Sequence, residues 1–261
     1  MRNSKILAKL RAGKAARIAH TTHYFPAFIA VAAHNSYDGV WIDLEHNPMD
    51  GRELQALLAF CHLYDIDAMV RPPSKDKTRL YRLLEDGATG LFVQHVRTVD
   101  EVRALVDATK FPPIGDRGMG GFGLDANFTL DIKDSIGDLV ENARETFLFV
   151  QIETPEALAN VDKIAALPGV DGLYIGPVDL GLRLKHKSGD QHPDMAEVMG
   201  RVAEAARTHG IAWGSYPTDF AQIEAQAALG ARILIWGGDI ALIKSGLAAA
   251  SDALAGVLGE E

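Results

Sequence analysis

An apolar run of strand length, a polar connection and a segment of helical period recur along this chain, and few architectures accommodate that rhythm. Strands are expected at 16–22, 38–44, 67–71, 89–94, 147–152, 171–176, 211–215 and 232–236. The helices between them have readable starts. Asp50 precedes Leu54, Leu57, Leu58 and Cys61 at helical spacing, and Thr98 with Glu101 reads as a capping box ahead of Val102, Leu105 and Val106. Thr154 and Pro155 supply an N-cap and a proline at the first helical position, and Pro168-Gly169 closes that segment. Strand followed by helix eight times predicts an α/β fold, a (β/α)8 TIM barrel formed by residues 1–261 as a single domain. Ile6, Leu7 and Leu10 are expected to cover one end of it as a short helix.

Charge and cysteine content narrow the partners. A net charge of −9 makes nucleic acid or an anionic membrane surface an unsuitable partner, and an anionic small substrate would need local positive charge. Cys61 is the only cysteine, which excludes an intrachain disulfide and a cysteine-built zinc site and fits a reducing cytoplasm. No window reads as the unbroken apolar stretch of about 18 residues that a membrane span needs. The basic, acid-free stretch 1–37 superficially resembles a transit peptide, but its apolar residues suit the end-capping helix better.

In a barrel of this kind, reactive residues sit where strands end and in the loops just beyond. The chain places Asp43, Glu45 and His46 after the second strand, Arg71 after the third, Gln94-His95 after the fourth, Gln151 and Glu153 after the fifth and Asp179 after the sixth. All would ring one mouth. Any one carboxylate there has an ordinary alternative, since Glu153 stands where it could serve a helix N-terminus. Two carboxylates on consecutive strands suit a hard divalent cation, which takes oxygen ligands and leaves positions open for a chelating substrate.

Six segments, in order, resemble the HpcH/HpaI family of class II, metal-dependent pyruvate aldolases, which includes 4-hydroxy-2-oxoheptanedioate and 2-keto-3-deoxy sugar-acid aldolases. They are Trp41-Ile42-Asp43-Leu44-Glu45-His46-Asn47-Pro48, Val70-Arg71-Pro72, Leu83-Leu84-Glu85-Asp86-Gly87, Lys110-Phe111-Pro112-Pro113 through Arg117-Gly118, Val150-Gln151-Ile152-Glu153-Thr154, and Gly169-Val170-Asp171-Gly172 through Asp179-Leu180. The resemblance implies a lyase that reversibly cleaves a 4-hydroxy-2-oxoacid to pyruvate, or a close analogue, and an aldehyde through a metal-bound enolate. It implies Mg²⁺ or Mn²⁺, with Co²⁺ as a further candidate and no organic cofactor, held by Glu153 and Asp179. Arg71 and Gln151 would reach the oxoacid, and backbone N–H groups at Val178 and Asp179 would take its carboxylate. Asp43 and His46 would form an acid/base dyad, with Glu45 and Glu85 in supporting roles. A homohexamer, a trimer of dimers exchanging the C-terminal helix, is the implied assembly.

The residues make physical sense in those roles. Arginine stays charged at any working pH and can stabilise an enolate oxygen. Histidine can accept the proton of the C4 hydroxyl as the carbon–carbon bond breaks. Departures from the family pattern are Gln94-His95 in place of Pro-Met, Glu85 in place of aspartate, Val178 in place of alanine, and a glycine-rich run from Met119 to Phe128 that is expected to cover a mouth, its own or a neighbour's. A Schiff-base aldolase is disfavoured because no expected strand contains lysine. A phosphate-binding barrel, hinted at by Trp236-Gly237-Gly238-Asp239, a CoA-ester lyase of the citrate/malyl-CoA type and a non-catalytic barrel subunit are the remaining alternatives.

Overall fold

A computed structural model describes residues 3–130, 137, 140, 141, 143–188 and 193–259 of the chain. The strands are β1 (Ala16–Thr21), β2 (Gly39–Asp43), β3 (Asp67–Arg71), β4 (Gly90–Val93), β5 (Phe147–Ile152), β6 (Gly172–Ile175), β7 (Ala212–Ser215) and β8 (Ile233–Gly238). Every one falls on an expected position, and none contains a lysine. They form one parallel sheet in the order β7-β6-β5-β4-β3-β2-β1-β8. Arg232 N–H donates to the Trp213 carbonyl at 2.9 Å and leads β8 back against β7, so the sheet curls into a nearly closed barrel.

Before β1 lies α1 (Lys5–Arg11), and the crossovers include α2 (Pro26–His34), α3 (Gly51–Leu63), α4 (Lys77–Glu85), α5 (Val99–Thr109), α6 (Pro155–Ala159), α7 (Val161–Ala165), α8 (Pro177–Ser188), α9 (Met195–Thr208) and α10 (Phe220–Ala228). Asp50 caps α3 in a reciprocal capping box with Glu53. Thr98 caps α5 as expected, but Glu101 accepts from Arg97 N–H rather than closing a box. The segment after Thr154-Pro155 is broken at Asn160 into α6 and α7, ahead of the expected stop at Pro168-Gly169.

Two apolar masses follow from strands buried on both faces. One lies between sheet and helices; the other fills the barrel, where Met69, Phe92, Phe147, Phe149 and Tyr174 meet under Trp41. Each such side chain contributes roughly 1.5–3 kcal/mol by leaving water. Gly90 is required inside, because a Cβ there would collide with the Phe147 ring. Ile6, Leu7 and Leu10 of α1 plug the N-terminal end of this inner core, as the sequence predicts.

The last helix, α11 (Asp239–Leu258), behaves differently from its predecessors. Leu242, Ile243, Leu247, Leu254, Val257 and Leu258 are exposed, so it does not close its own barrel. By length and composition it is apolar enough to cross a membrane, against the sequence expectation. Its alanines hold the mean hydropathy high although Lys244 and Asp252 interrupt the apolar run. Its first residue is anchored: the Asp239 carboxylate accepts from Thr22 N–H at 2.9 Å, His23 N–H at 3.1 Å and Ile240 N–H at 2.8 Å.

Candidate active site

Register brings the first charged pair together. Asp43 ends β2, Arg71 ends β3, and the two are ladder partners. Arg71 Nε donates to Asp43 Oδ1 and Nη2 to Oδ2, both at 2.7 Å, a bidentate fork between buried groups. Burial works to raise the Asp43 pKa, but the Arg71 hydrogen bonds and charge outweigh it and hold the carboxyl below its ordinary value. The guanidinium carbon lies 4.7 Å from the centroid of the Trp41 ring, and Nη1 is 3.0 Å from Glu45 Oε2. One contact on each terminal nitrogen leaves further N–H groups there for a substrate oxygen.

The expected dyad of Asp43 and His46 does not form. Asp43 is committed to Arg71, and its Oδ2 also accepts from Asn47 Nδ2 at 2.9 Å. His46 turns outward, with its side chain 63% exposed, and its Nε2 lies 3.5 Å from Glu45 Oε2. Three residues beyond Asp43 the chain has already left the strand, so the two side chains no longer share a face. Glu45 is the residue that gathers the nitrogen-bearing side chains: Arg71, His46 and His95, whose Nε2 is 2.6 Å from Glu45 Oε1.

His95 was legible in the sequence only as an extra polar group, and its position is the main addition. It sits at φ 55°, a left-handed conformation that costs energy for a side chain of this size, and its backbone N–H donates to Glu153 Oε1 at 2.7 Å. Its Nδ1 is 2.8 Å from the same oxygen and 3.2 Å from Arg183 Nη2. The neighbouring Gln94 turns aside and donates to the Pro72 carbonyl at 2.7 Å, tying the ends of β3 and β4.

Glu153 follows β5 and its side chain is 2% exposed. Thr154 caps α6 by accepting from Ala157 N–H at 3.0 Å, so Glu153 is not needed as a helix cap. Burial pushes the Glu153 carboxyl up; the His95 N–H and ring pull it down, Asp179 pushes it up again, and the net is above the usual range. Gln151 Nε2 donates to Glu153 Oε2 at 2.6 Å, and Gln151 Oε1 is buried with no protein partner. A Cβ on Gly176 would stand 2.6 Å from Gln151 Nε2 and 2.9 Å from Glu153 Oε2, so only glycine lets β6 pass this cradle. Asp179 stands in the first turn of α8, 47% exposed, and Arg183 one turn on spans both carboxylates, 3.2 Å from Asp179 Oδ1 and 4.0 Å from Glu153 Oε1.

This donor set fits a hard divalent cation. Two carboxylates that already share an intervening positive group, with an unsatisfied amide oxygen beside them, supply the oxygen ligands such an ion takes from protein while leaving the rest to water and substrate. Among the described residues no group of three or more His, Cys, Asp or Glu side chains is placed to hold an ion by itself. The first N–H to close onto α8 is that of Leu180, donating to the Gly176 carbonyl at 3.0 Å. The N–H groups of Val178 and Asp179 therefore have no acceptor within the helix and stand at its positive end.

The β1–β8–β7 side of the mouth has another character. His20 stacks on Trp41 at 4.0 Å between centroids, and Tyr216 meets both rings edge-on. Burial pushes the His20 pKa down to about 4, against the pull of Asp43 and Asp239, so the ring is neutral at pH 7. His20 Nε2, Trp41 Nε1 and Ser215 Oγ are buried and have no protein hydrogen-bond partner.

Glu85 and the glycine-rich run lie elsewhere. The chain enters α4 from the mouth after β3 and leaves it beside the start of β4, so Glu85 is at the opposite end of the barrel. There Glu85 Oε1 lies against Gly120, and Leu124 lies against Gly87. Arg117 Nη2 donates to Asp125 Oδ2 at 2.7 Å and fixes the run there. With Gln55, Arg82 and Phe128 it borders a cleft of ≈ 520 Å³. Within its own subunit the run does not cover the mouth, because it belongs to the connection from α5 to β5, which is on the far side of a parallel barrel.

Comparison with known proteins agrees with this geometry. Residues 22–245 match the family described as HpcH/HpaI aldolase/citrate lyase. The chain is 33% identical to a hydroxypyruvate/pyruvate aldolase from Sagittula stellata, covering 80% of this chain and 81% of that one. It is 32% identical to a 2-keto-3-deoxy-L-rhamnonate aldolase from Klebsiella pneumoniae, covering 83% and 80%. The crystal structure of an HpcH/HpaI aldolase from Desulfitobacterium hafniense superposes with a TM-score of 0.85 at 28% identity, covering 95% of this chain and 96% of that one.

Proposed function

Since the chain belongs to the HpcH/HpaI aldolase/citrate lyase family, we propose that it is a class II aldolase, a carbon–carbon lyase that reversibly cleaves a 4-hydroxy-2-oxoacid to pyruvate, or a close analogue, and an aldehyde. The observation that carries this reading is the buried Glu153, bonded to Gln151, and the rim Asp179, both reached by one arginine and linked to Arg71 through His95 and Glu45. Glu153 and Asp179 would hold Mg²⁺ or Mn²⁺, with Co²⁺ as a third candidate, and no organic cofactor is required. When bound, the ion acts as a Lewis acid toward an α-keto acid that chelates it.

The chain's own residues do the rest. Val178 and Asp179 N–H groups at the start of α8 take the oxoacid carboxylate. Arg71, locked by Asp43 and Glu45 and backed by Trp41, offers its remaining N–H groups to the keto oxygen and stabilises the negative charge that grows there as the bond breaks. Gln151 orients Glu153 through its amide. His46 accepts the C4 hydroxyl proton, with Glu45 in the orienting position first given to Asp43. The reading carries a reducing cytoplasm as the compartment, which the single buried cysteine suits. It carries a homohexamer, a trimer of dimers exchanging α11, as the assembly; the uncovered leucines of that helix support it.

The test is pyruvate release from a panel of 4-hydroxy-2-oxoacids with and without chelator, alongside Glu153→Ala. Activity is expected to vanish with chelator, to return with Mn²⁺ or Mg²⁺, and to fall at least about 10³-fold in the variant. Full turnover by the chelated enzyme would overturn the proposal.

A further inference from the structure

Arg183 has no role in the chemistry above, yet both terminal nitrogens of its guanidinium lie among the groups that carry the two carboxylates assigned to the cation. Nη1 donates to the Glu153 backbone carbonyl at 2.7 Å and lies 4.0 Å from Glu153 Oε1. Nη2 is 3.2 Å from Asp179 Oδ1 and 3.2 Å from His95 Nδ1. The location is electrostatically peculiar. The side chain of Arg183, the seventh residue of α8, lies toward the N-terminal end of the helix, where the macrodipole disfavours a cation. Helical side chains lean that way as a rule, and here the Glu153 carbonyl, the Asp179 carboxylate and, more distantly, the Glu153 carboxylate hold the guanidinium in place. The side chain remains 34% exposed, so solvent already reaches it.

A divalent ion bound between the same carboxylates would face this positive charge at close range in a half-desolvated site, where like charges repel much more strongly than in water. We propose that Arg183 is an internal counter-cation that competes with the metal for Glu153 and Asp179 and so sets metal affinity. In the metal-free protein its single charge offsets part of the charge of the two acids; on loading it must leave Asp179 for solvent. The inference rests on the metal reading of that carboxylate pair. It gives the chain a site that is weaker for its ion, and more readily emptied, than its ligands alone would make it.

The experiment is Mn²⁺ titration of the purified full chain, followed by electron paramagnetic resonance and calorimetry, for wild type, Arg183→Gln, Arg183→Lys and Glu153→Gln. Glutamine keeps an amide donor for the Glu153 carbonyl and removes the charge; lysine keeps the charge. Arg183→Gln is expected to bind Mn²⁺ about tenfold more tightly, equal to about 1.4 kcal/mol, while Arg183→Lys stays near wild type. The rise in melting temperature caused by a fixed Mn²⁺ concentration should be larger in Arg183→Gln than in wild type, a signature that mere loosening of the loop does not produce. Equal or weaker Mn²⁺ binding by Arg183→Gln, with wild-type binding still lost in Glu153→Gln, overturns the competition and leaves the metal site standing. Absence of Mn²⁺ binding in both wild type and Arg183→Gln, or binding indifferent to Glu153→Gln, overturns both.

Discussion

The two sides of the barrel mouth solve different problems with the same strand-end geometry. From β2 to β6 the rim is charged and closely paired: Asp43 with Arg71, Arg71 with Glu45, Glu45 with His95, His95 with Glu153, Arg183 with Asp179. From β1 through β8 to β7 it is aromatic, with a neutral His20, Tyr216 and a buried Ser215 hydroxyl gathered about Trp41 of β2. The charged side is over-determined, each group fixed by at least one partner, as charge stabilisation in a transition state requires. The aromatic side holds polar atoms without protein partners, which leaves recognition to water or ligand. Chemistry and selectivity are therefore separable by position on the rim.

The largest effect expected from this contrast is on the charged side. Arg71→Ala should lower kcat/KM for pyruvate release about 10³-fold, roughly 4 kcal/mol of transition-state stabilisation. A tenfold or smaller loss, read from steady-state kinetics, would mean that the guanidinium is structural. Asp43→Asn leaves Arg71 buried with a halved counter-charge, so unfolding in urea should show about 3 kcal/mol of lost stability together with reduced turnover. Unchanged stability would break the view of that pair as the rigid side.

His20 gives the matching test on the other side, through pH. Its folded pKa of about 4 lies below the unfolded value of 6.5, so the unfolded chain takes up a proton first as pH falls. Its contribution is present in full above 6.5 and is lost progressively down to about 4, a change of about 3 kcal/mol. The difference in unfolding free energy between wild type and His20→Gln should change by about that amount across the window. A flat difference would show that the ring is hydrated. The smallest effect belongs to Ser215→Ala: kcat should stay within about twofold while the preference among aldehyde partners shifts severalfold, under about 1 kcal/mol.

The fold was open to sequence reasoning because its signal is repeated. Each strand of the barrel is a short apolar run bounded by a cap or glycine, and any one misread would have been corrected by its neighbours. Arg71, Gln151, Glu153 and Asp179 were readable for the same reason, since strand ends in a parallel barrel share one mouth. Partnership was not. Whether Asp43 serves His46 or Arg71 depends on ladder register, which sets Asp43 opposite Arg71 and is absent from linear spacing. The roles of His95 and Arg183 depend on a left-handed backbone at one and a side chain folding back along its helix at the other. The glycine-rich run was misplaced only as a cover for its own subunit's mouth, although its position was legible: it follows a helix and precedes a strand, and such connections lie away from the mouth of their own barrel.

The clasp around Asp239 has a mechanical consequence. This carboxylate binds the start of α11 to the backbone of Thr22 and His23, immediately beyond the strand that carries His20, while the far turns of the helix hold their leucines in open water. Such an arrangement is a lever with its fulcrum at the aromatic rim. A surface that grips the outer turns of α11 is therefore joined to the end of β1, beside His20, by the hydrogen bonds of this one carboxylate.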